Sequence, residues 1–510
     1  MTDAYPADTI PDLLARAAPG ARAIGAPGRP WLTHGALGAL ARETVAALNA
    51  MGIGRNDRVA IVLPNGPEMA AAFVAIASGA TTAPLNPSYK AEEFDFYLAD
   101  LHARALVIQE GMDSPARAVA AARGIPVVEL RPGEQAGAFT LHPGAPLRGT
   151  PARPGVAQAD AVALVLHTSG TTSRPKIVPL RHINVTASAY NIGAVLGLGD
   201  ADLCLNIMPL FHIHGLIAAT LASLAAGGSV CCTPGFNGFR FYSWFQQVRP
   251  TWYTAVPTMH QTILELAPRN AAAIAAGRLR FIRSSSASLP PQVMTAMEQA
   301  FGVPVIESYG MTEASHQMAS NPLPPRPRFP GSVGLAAGPE VAIMDEQGTI
   351  LPAGGLGEVA IRGRNVTAGY ENNEAANKAG FTNGWFRTGD QGVLDADGYL
   401  RLTGRLKELI NRGGEKISPL EVDEVVMDHP AVAQCLTFGL PHAKLGEEVA
   451  VAIVLRAGME VKETELRDFC GTRLAAFKVP RRVVFLEEIP KGATGKLQRI
   501  GLAEKLGLAG

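Results

Sequence analysis

The chain has 510 residues, with 45 basic and 45 acidic side chains, so its formal net charge is zero. A protein that coats nucleic acid needs a basic surplus, and a disordered solvating chain needs a large net charge, so both classes are disfavoured. The 54 glycines and 38 prolines are scattered without a period, which excludes a collagen-like chain. At roughly 150 residues per domain, the length predicts two to four domains.

The cysteines and the apolar runs indicate a compartment. Five cysteines without a CxxC pair predict reduced thiols and neither a disulfide framework nor a zinc site. The most apolar stretch, residues 215–228, is shorter than the roughly 20 residues that a bilayer span needs. Acidic residues near the start argue against a secretory signal, and the final LGLAG is not a peroxisomal signal. We therefore expect a cytoplasmic protein without a membrane span.

Strand and helix patterns alternate along the first 400 residues. Residues 58–64 predict a strand, residues 67–78 an apolar helix, and residues 105–110 and 126–130 further buried strands. The Gly- and Pro-rich residues 132–158 predict a connecting loop. The stretches ALVLHTSG, WYTAVPT, LRFIRSSS and VPVIESYG each predict a strand that runs into a polar turn. This alternation predicts a large N-terminal domain of mostly parallel sheets with flanking helices, whose ligands bind at the carboxyl ends of the strands.

After about residue 400 the pattern changes. A charged stretch, KELINRGGEKISPLEVDEVVMDHP, is followed by two alternating apolar strands and a helix predicted over residues 463–477. This pattern predicts a small, separate α+β domain of about 100 residues.

A polar loop at residues 167–176, HTSGTTSRPK, follows one of the predicted strands. Small hydroxyl residues and glycine let backbone N–H groups approach phosphate oxygens, and Lys176 adds a positive charge. Pro175 precedes this lysine where a Walker A loop needs glycine, so that loop is excluded. No GxGxxG follows a strand, which disfavours a dinucleotide-binding dehydrogenase.

Together with later blocks, this loop resembles the adenylate-forming superfamily of acyl-CoA synthetases, luciferases and peptide-synthetase adenylation domains. The resemblance runs from about residue 30 to residue 500. The further blocks, in the family's order, are MPLFHIHG, RSSSASL, ESYGMTE, GWFRTGD, GRLKELINRGGEKISPLEVD and PKGATGK. The resemblance implies ATP, Mg²⁺ and coenzyme A as cofactors, and a carboxylic acid that is first adenylated and then transferred to the thiol of CoA.

The resemblance also assigns residues. It implies that residues 1–404 bind ATP and the acid, while residues 405–510 form a mobile lid. The catalytic group would comprise Lys496, Thr312, the magnesium ligand Glu313 and the hinge residue Lys407. Tyr309 would face adenine, and Asp390 and Arg405 would contact the ribose. The full set implied for ATP and CoA is Thr168, Ser169, Gly170, Thr171, Thr172, Lys176, Ser288, Glu307, Ser308, Tyr309, Asp390, Arg405, Gly413 and Gly414. The two glycines at 413 and 414 would face the thiol channel or merely form a turn.

The blocks that should line the acid pocket are unusually polar. They contribute His212, His214, His316, Arg283 and a run of serines. A long-chain fatty acid needs an apolar tunnel, whereas a second carboxylate needs fixed donors, so these residues weigh against a fatty acid. The histidine of the PLFH block is frequent across the family, and Arg283 could instead form a structural ion pair.

Longer strings, such as WYTAVPTMHQ, LRFIRSSSASL and MTEASHQMASNPLP, most resemble the oxalate–CoA ligases of plants and fungi. On that resemblance, Ser286 and His316 would hold the distal carboxylate, with His214 nearby. Gly310 would border the pocket and admit a slightly larger acid.

Several alternatives stay open. Malonate, glycolate or a short-chain fatty acid are the nearest rival substrates. A luciferase-like oxygenase would need a large aromatic pocket, which 6% aromatic residues do not favour. A carrier-loading enzyme would pass the acyl group to a protein-bound pantetheine.

Overall fold

The computed structural model describes residues 5–144, 149–168, 175–492 and 496–508. Within these ranges the strands, in chain order, are β1 (Arg22–Gly25), β2 (Leu32–Thr33), β3 (Arg58–Val62), β4 (Thr81–Pro84), β5 (Ala105–Gln109), β6 (Val127–Pro132), β7 (Phe139–Pro143), β8 (Val162–Thr168), β9 (Lys176–Arg181), β10 (Leu203–Asn206), β11 (Ser229–Cys232), β12 (Trp252–Ala255), β13 (Phe281–Ser285), β14 (Val305–Met311), β15 (His316–Ser320), β16 (Leu335–Ala336), β17 (Glu340–Met344), β18 (Leu356–Arg362), β19 (Phe381–Thr382), β20 (Trp385–Leu394), β21 (Leu400–Arg405), β22 (Ile410–Arg412), β23 (Glu415–Ile417), β24 (Val432–His442), β25 (Gly446–Leu455) and β26 (Arg482–Phe485).

The helices of the same ranges are α1 (Ile10–Leu14), α2 (His34–Ala50), α3 (Pro67–Ala77), α4 (Ala91–Asp100), α5 (Pro115–Ala122), α6 (His182–Val195), α7 (Ala222–Ala225), α8 (Gly238–Val248), α9 (Pro257–Leu266), α10 (Ala271–Ala275), α11 (Pro291–Phe301), α12 (Glu374–Gly380), α13 (Pro419–Met427), α14 (Glu463–Gly471) and α15 (Leu502–Lys505). A π-helical segment, His214–Leu221, precedes α7, and short 3₁₀ turns include Thr312–Ala314 and Leu406–Glu408.

Two large sheets form the N-terminal part of the molecule. One has seven strands in the order β7-β6-β5-β3-β4-β8-β9, and its inner strands are parallel. The other has nine strands in the order β16-β15-β14-β13-β12-β10-β11-β1-β2, parallel from β14 to β1. Parallel sheets need cover on both faces, and α3 shows how it is provided. This helix is apolar on every side, and all its residues except Glu68 are buried.

The structure confirms the alternating pattern and changes one detail of it. The predicted strands and the helix at residues 67–78 are present with shifts of one or two residues at their ends. Residues 132–158, predicted to be a loop, contain β7, which pairs antiparallel with β6 at the sheet edge. An edge strand tolerates the Pro143 that ends it, because one side of an edge strand needs no ladder hydrogen bonds.

The C-terminal residues build a sheet of their own. The order β23-β22-β25-β24, with β26 beside β25, joins no strand of the other sheets. Its two apolar clusters are drawn only from residues 410–508. A third sheet, formed by β17 to β21, lies before it in the chain. Contacts across the junction include polar ones, such as Arg401 with Glu424 at 3.2 Å and the amide of Gln292 with Asp428.

The apolar stretch near residue 215 lies inside the protein. It forms the π-helical segment and α7, and all eight residues of the π-helical segment are buried. None of the helices in the described ranges is both long enough and apolar enough to cross a membrane.

Candidate active site

Polar side chains collect where β12, β13 and β14 end, at the carboxyl edge of the nine-stranded sheet. The strands are in parallel register, with Thr254 opposite Arg283 and Ser284 opposite Glu307. The π-helical segment starts with His214 beside the same edge. Parallel α/β sheets bind ligands at such an edge, so the topology brings the predicted acid-pocket residues together.

His214 connects this group. Its Nδ1 lies 3.0 Å from Ser286 Oγ, and its Nε2 lies 2.6 Å from Thr254 Oγ1. The ring of His316 lies 4.9 Å from the ring of His214, measured between centroids. Burial lowers the pKa of both histidines well below the ordinary value, and the charge of Arg283 lowers it further. Both rings are therefore neutral at physiological pH.

Arg283 is completely buried behind the two histidines. Its guanidinium lies within hydrogen-bonding distance of Thr254, His214, His316 and Gln317, which are all uncharged. Among the described residues no carboxylate pairs with it, so the structural ion pair left open by the sequence is not formed. Burial lowers the pKa of Arg283 to about 9, which leaves the side chain charged at pH 7. The site therefore holds a buried positive charge whose partners are neutral.

The backbone around these side chains is unusual. Ser286 and His316 have positive φ angles of 76° and 98°. Such angles in residues other than glycine concentrate at functional sites, because the surrounding structure has to enforce them. The room expected beside Gly310 does not exist, since a Cβ there would lie 1.9 Å from the carbonyl oxygen of His316. Gly310 thus permits the close approach of the two strands and does not enlarge the pocket.

The residues predicted for adenine and ribose form a chain of contacts. The hydroxyl of Tyr309 donates to Asp390 Oδ2 at 2.5 Å, and Arg405 Nε donates to Asp390 Oδ1 at 3.1 Å. Asp390 and Arg405 are cross-strand neighbours on β20 and β21. Each carboxylate oxygen can accept a second hydrogen bond, so Asp390 retains capacity for a hydroxyl group.

Tyr370 contacts both Glu313 and Lys176, which are predicted to serve the phosphates. This tyrosine was not predicted from the sequence. Its hydroxyl donates to Glu313 Oε1 at 2.8 Å, and Lys176 Nζ lies 4.3 Å from the centroid of its ring. The segment is fixed beside the 3₁₀ turn, because Thr367 N donates to Glu313 O at 2.7 Å. No local pattern marks this tyrosine, which is far from both partners in the chain.

Glu313 fits the expected magnesium ion. Burial raises the pKa of its carboxyl, so the charged form needs a nearby cation. Mg²⁺ is commonly held by one or two carboxylates together with substrate phosphates and water. Within the described ranges no group of three or more His, Cys, Asp or Glu side chains could hold a metal by itself. A single carboxylate is thus consistent with a metal that arrives with a nucleotide.

Two described residues flank the predicted phosphate loop. Thr168, at the end of β8, pairs with Lys176, at the start of β9. The predicted residues Ser169, Gly170, Thr171 and Thr172 lie outside the described residues.

Lys496 lies at the junction between the nucleotide side and the acid side. Its charge contributes to lowering the pKa of His212, His214 and His316. The residue is exposed by its overall surface. Desolvation, together with the charge of Arg405, lowers the pKa of Lys496 to about 8, while the charge of Asp390 opposes the shift.

Arg499, three residues later, ties the Lys496 segment to the C-terminal sheet and to the hinge region. Its Nη2 lies 3.0 Å from Asp423 Oδ2, its Nε lies 3.2 Å from Glu408 Oε2, and it donates to the carbonyl of Thr437. Glu408 directly follows the predicted hinge residue Lys407. No motif in the sequence marks Arg499, because its partners Asp423 and Glu408 lie far from it in the chain.

The remaining predicted residues are less central. Lys407 and Ser288 are exposed, and Thr312 is half-buried. The carboxyl of Glu307 accepts from Leu289 N at 2.8 Å and is buried, and burial raises its pKa to about 8. Ser308 donates to Ser284 O at 3.2 Å. Both side chains therefore connect strands and turns within the protein, and the nucleotide contact expected for them stays a prediction.

Gly413 and Gly414 form the turn of the β22–β23 hairpin. Their φ angles are 61° and 95°, which glycine adopts without steric cost. Gly413 N donates to Leu445 O at 2.8 Å, and both glycines are exposed. The turn alternative is therefore present, and a role in facing a thiol channel stays a prediction.

Gly310→Ala should destabilise the protein by at least about 2 kcal/mol, because the new methyl overlaps the His316 carbonyl and overpacking a close contact is costly. Gly193→Ala is the matched control, since this glycine lies within α6 and no atom lies within 4 Å of its added Cβ. The control should gain up to about 1 kcal/mol from helix propensity. Urea unfolding measures both, and equal stability of the two variants would contradict the close approach.

Known proteins are similar to this chain over nearly its whole length. The AMP-binding enzyme family matches residues 13–371, and the AMP-binding enzyme C-terminal domain matches residues 421–496. An oxalate–CoA ligase of Arabidopsis thaliana is 46% identical, covering 96% of this chain and 97% of that protein. An oxalate–CoA ligase of Saccharomyces cerevisiae is 43% identical, covering 88% and 87%. A crystal structure of ATP-bound MatB from Rhodopseudomonas palustris superposes with a TM-score of 0.86 at 29% identity, covering 98% of each chain. The chain belongs to the AMP-binding enzyme family and is an ATP-dependent acid–CoA ligase.

Proposed function

We propose that the acid is oxalate and that the chain is an oxalate–CoA ligase. The observation that carries this proposal is the buried charge of Arg283 beside Ser286, His214 and His316, with no described carboxylate to neutralise it. An acid with a second negative group would supply the missing anion. The two oxalate–CoA ligases that resemble the chain over most of its length support the same choice.

The polarity of the pocket disfavours a fatty acid. An alkyl tail against Ser286 and His316 would leave their polar atoms without partners in a water-excluding site, at a cost of about 1–3 kcal/mol for each group. A carboxylate there would accept charge-assisted hydrogen bonds. The strand contact at Gly310 supports a short acid, because the backbone of His316 fills the adjacent space.

The reaction has two steps. An oxygen of one oxalate carboxylate bonds to the α-phosphorus of ATP, and the bond to pyrophosphate breaks. The sulfur of CoA then attacks the activated carbonyl carbon, and AMP leaves as oxalyl-CoA forms. Magnesium, when bound, neutralises charge on the phosphate oxygens.

Side chains of the site have distinct roles in this proposal. Lys496 stabilises negative charge between the attacking carboxylate and the α-phosphate, and its charge acts on Asp390 as well as on His214 and His316. Glu313 and Lys176 serve the phosphates, with Thr312 beside them. Asp390 and Arg405 serve the ribose, and Tyr309 the adenine.

We further propose that residues 405–510 rotate as a lid about Lys407 between the two steps. The separate sheet and separate apolar clusters of the C-terminal residues support this division. The polar junction supports it as well, since breaking a few exposed ion pairs costs little. Rotation would withdraw Lys496 and bring the hairpin of Gly413 and Gly414 toward the thiol.

The other reaction classes have less support. A luciferase-like oxygenase needs a large aromatic pocket, whereas the acid pocket here is built from His, Ser, Thr and Arg side chains. A carrier-loading enzyme would show no dependence on free CoA. A cytoplasmic location stays a prediction from the sequence.

The acid is tested by pyrophosphate release with oxalate, malonate, glycolate and hexanoate. We expect the highest kcat/KM with oxalate, because glycolate and hexanoate bring no second negative charge toward Arg283 and the donors in front of it, and malonate is longer. For glycolate the loss should be at least about 100-fold, since a site built around a polar group rejects an analogue that lacks it. Better turnover of hexanoate than of oxalate would refute the dicarboxylate assignment.

Lys496→Ala should reduce adenylation at least about 100-fold, because it removes charge stabilisation of the transition state. Thioester formation from pre-made oxalyl-adenylate and CoA should change only a few-fold. Lys491→Ala is the control, since Lys491 is in the same segment and pairs with Glu488 at 2.7 Å on the surface. Equal losses in both half-reactions would be inconsistent with the two-conformation scheme.

Tyr370→Phe should raise the KM for MgATP about tenfold, because Glu313 loses a hydrogen bond of the charged type, worth about 1.5 kcal/mol. Tyr370→Leu should raise it further, since Lys176 then also loses the aromatic face. Tyr190→Phe is the control, because the hydroxyl of Tyr190 is buried without a hydrogen-bond partner in the described structure. An unchanged KM in both Tyr370 variants would show that the tyrosine does not position these groups.

A further inference from the structure

The four Nη hydrogens of Arg283 meet four neutral acceptors in two pairs. Nη1 lies 3.3 Å from Thr254 Oγ1 and 3.4 Å from His214 Nε2. Nη2 lies 3.3 Å from Gln317 Oε1 and 3.5 Å from His316 Nδ1. A guanidinium donates hydrogen bonds and cannot accept them, so every atom that faces it has to present a lone pair.

This constraint decides which nitrogen of His214 carries the proton. Nε2 faces Arg283, so it is the unprotonated nitrogen. Thr254 accepts from Arg283 and can donate its hydroxyl hydrogen to the same Nε2 at 2.6 Å, so the single lone pair of Nε2 takes this short bond and shares the longer contact with Arg283 at 3.4 Å. The proton of the neutral ring is then on Nδ1, which donates to Ser286 Oγ at 3.0 Å. Ser286 accepts this bond, so its own hydroxyl hydrogen remains available to another acceptor.

The same reasoning applied to His316 gives the opposite tautomer. Its Nδ1 faces Arg283 and is unprotonated, so the proton is on Nε2. Within the described structure Nε2 makes no hydrogen bond with another residue. Gln317 is fixed with its oxygen toward Arg283, because its Nε2 donates to Ala337 O at 3.2 Å. The acceptors around the guanidinium therefore do not depend on a freely rotating amide.

We infer that Arg283 is a positioning residue that fixes opposite tautomers in His214 and His316, so that Ser286 and His316 both present hydrogen-bond donors to the distal carboxylate of the acid. If His214 carried its proton on Nε2 instead, Nδ1 would be an acceptor. The hydroxyl of Ser286 would then donate its hydrogen to His214 Nδ1. Only its oxygen lone pairs would face the acid, and these repel a carboxylate. Arg283 thus decides, through His214 and His316, that the pocket presents hydrogen-bond donors to the acid. It does so without contacting the acid itself.

The charge of the guanidinium acts in the same direction. It lies directly behind the two neutral rings, in a region that solvent does not reach, so water does little to screen it. A dianionic acid gains from this charge, whereas a neutral distal group gains nothing. The inference rests on the proposed function for the identity of the ligand, but the tautomers are properties of the protein alone.

Nitrogen NMR tests the tautomers in the wild-type protein without any ligand. In a long-range ¹H–¹⁵N correlation of protein carrying ¹⁵N-histidine, we expect His214 protonated on Nδ1 and His316 protonated on Nε2. His214→Asn and His316→Asn identify the two sets of signals. The reverse tautomer at either residue, or a doubly protonated ring near pH 7.5, would overturn the inference. This measurement requires no Arg283 variant to fold.

Two variants test whether both Nη groups of the Arg283 guanidinium are needed. Arg283→Met removes all donors, and Arg283→Lys keeps the charge on a single atom that cannot serve both pairs of acceptors. We expect mixed tautomers in both variants, and a KM for oxalate raised about 100-fold in the first and at least tenfold in the second. The KM for ATP should stay within about twofold. Arg42→Met, on the exposed face of α2, is the control and should leave every value unchanged.

The outcomes separate this inference from the proposed function. Unchanged tautomers and an unchanged KM for oxalate in Arg283→Met would overturn the inference. Equal rises in the KM for oxalate and for ATP would also overturn it, because general damage to the fold would explain them. If the wild-type tautomers are as expected but oxalate is not turned over, the proposed substrate fails while the assignment of Arg283 to the two rings stands.

Discussion

Arg283 carries a positive charge at a point that water does not reach, and only neutral groups accept its hydrogen bonds. A buried cation of this kind is costly, so the groups around it have to be held in place by the rest of the fold. Parallel register brings Thr254 beside Arg283, and the π-helical segment brings in His214. The positive φ of His316 then directs its ring to the same point. The acid pocket is organised around this unneutralised charge.

The predicted nucleotide side differs from this arrangement. Its buried charges are the carboxylates of Asp390 and Glu313, and each accepts hydrogen bonds from described side chains. Asp390 accepts from Tyr309 and Arg405, while Glu313 accepts from Tyr370. These carboxylates remain correctly oriented before any ligand binds, and preorganisation of this kind reduces the cost of aligning charges during the reaction. Lys496 stands between the two sides, where its charge reaches both the ribose-side carboxylate and the histidines.

Much of the fold and part of the site were predictable from the sequence. Hydrophobic alternation predicts the parallel strands because burial on both faces demands it, but it missed β7, which lies at the sheet edge and pairs with β6 alone. The family's blocks named Glu313, Asp390 and Lys496, whose roles stay predictions, whereas the contact of Tyr370 with Glu313 is a tertiary one that no spacing encodes. Whether Arg283 forms an ion pair was also left open by the sequence, because its neighbours come from distant parts of the chain. Gly310 was misread, because only the structure shows the carbonyl that it faces.

The triple anchoring of Arg499 has a consequence for the order of events in the cycle. Because this arginine binds Asp423 on α13 and Glu408 beside the hinge, the segment that carries Lys496 is fastened to the body of the small lobe. In the proposed rotation, the lysine would therefore leave the cleft together with the rest of this lobe, and the hairpin at Gly413 would approach as it leaves. Under the proposed rotation, arrival of one implies departure of the other. The two half-reactions would then exclude each other, because the thiol of CoA could reach the acyl-adenylate only after Lys496 has left the cleft.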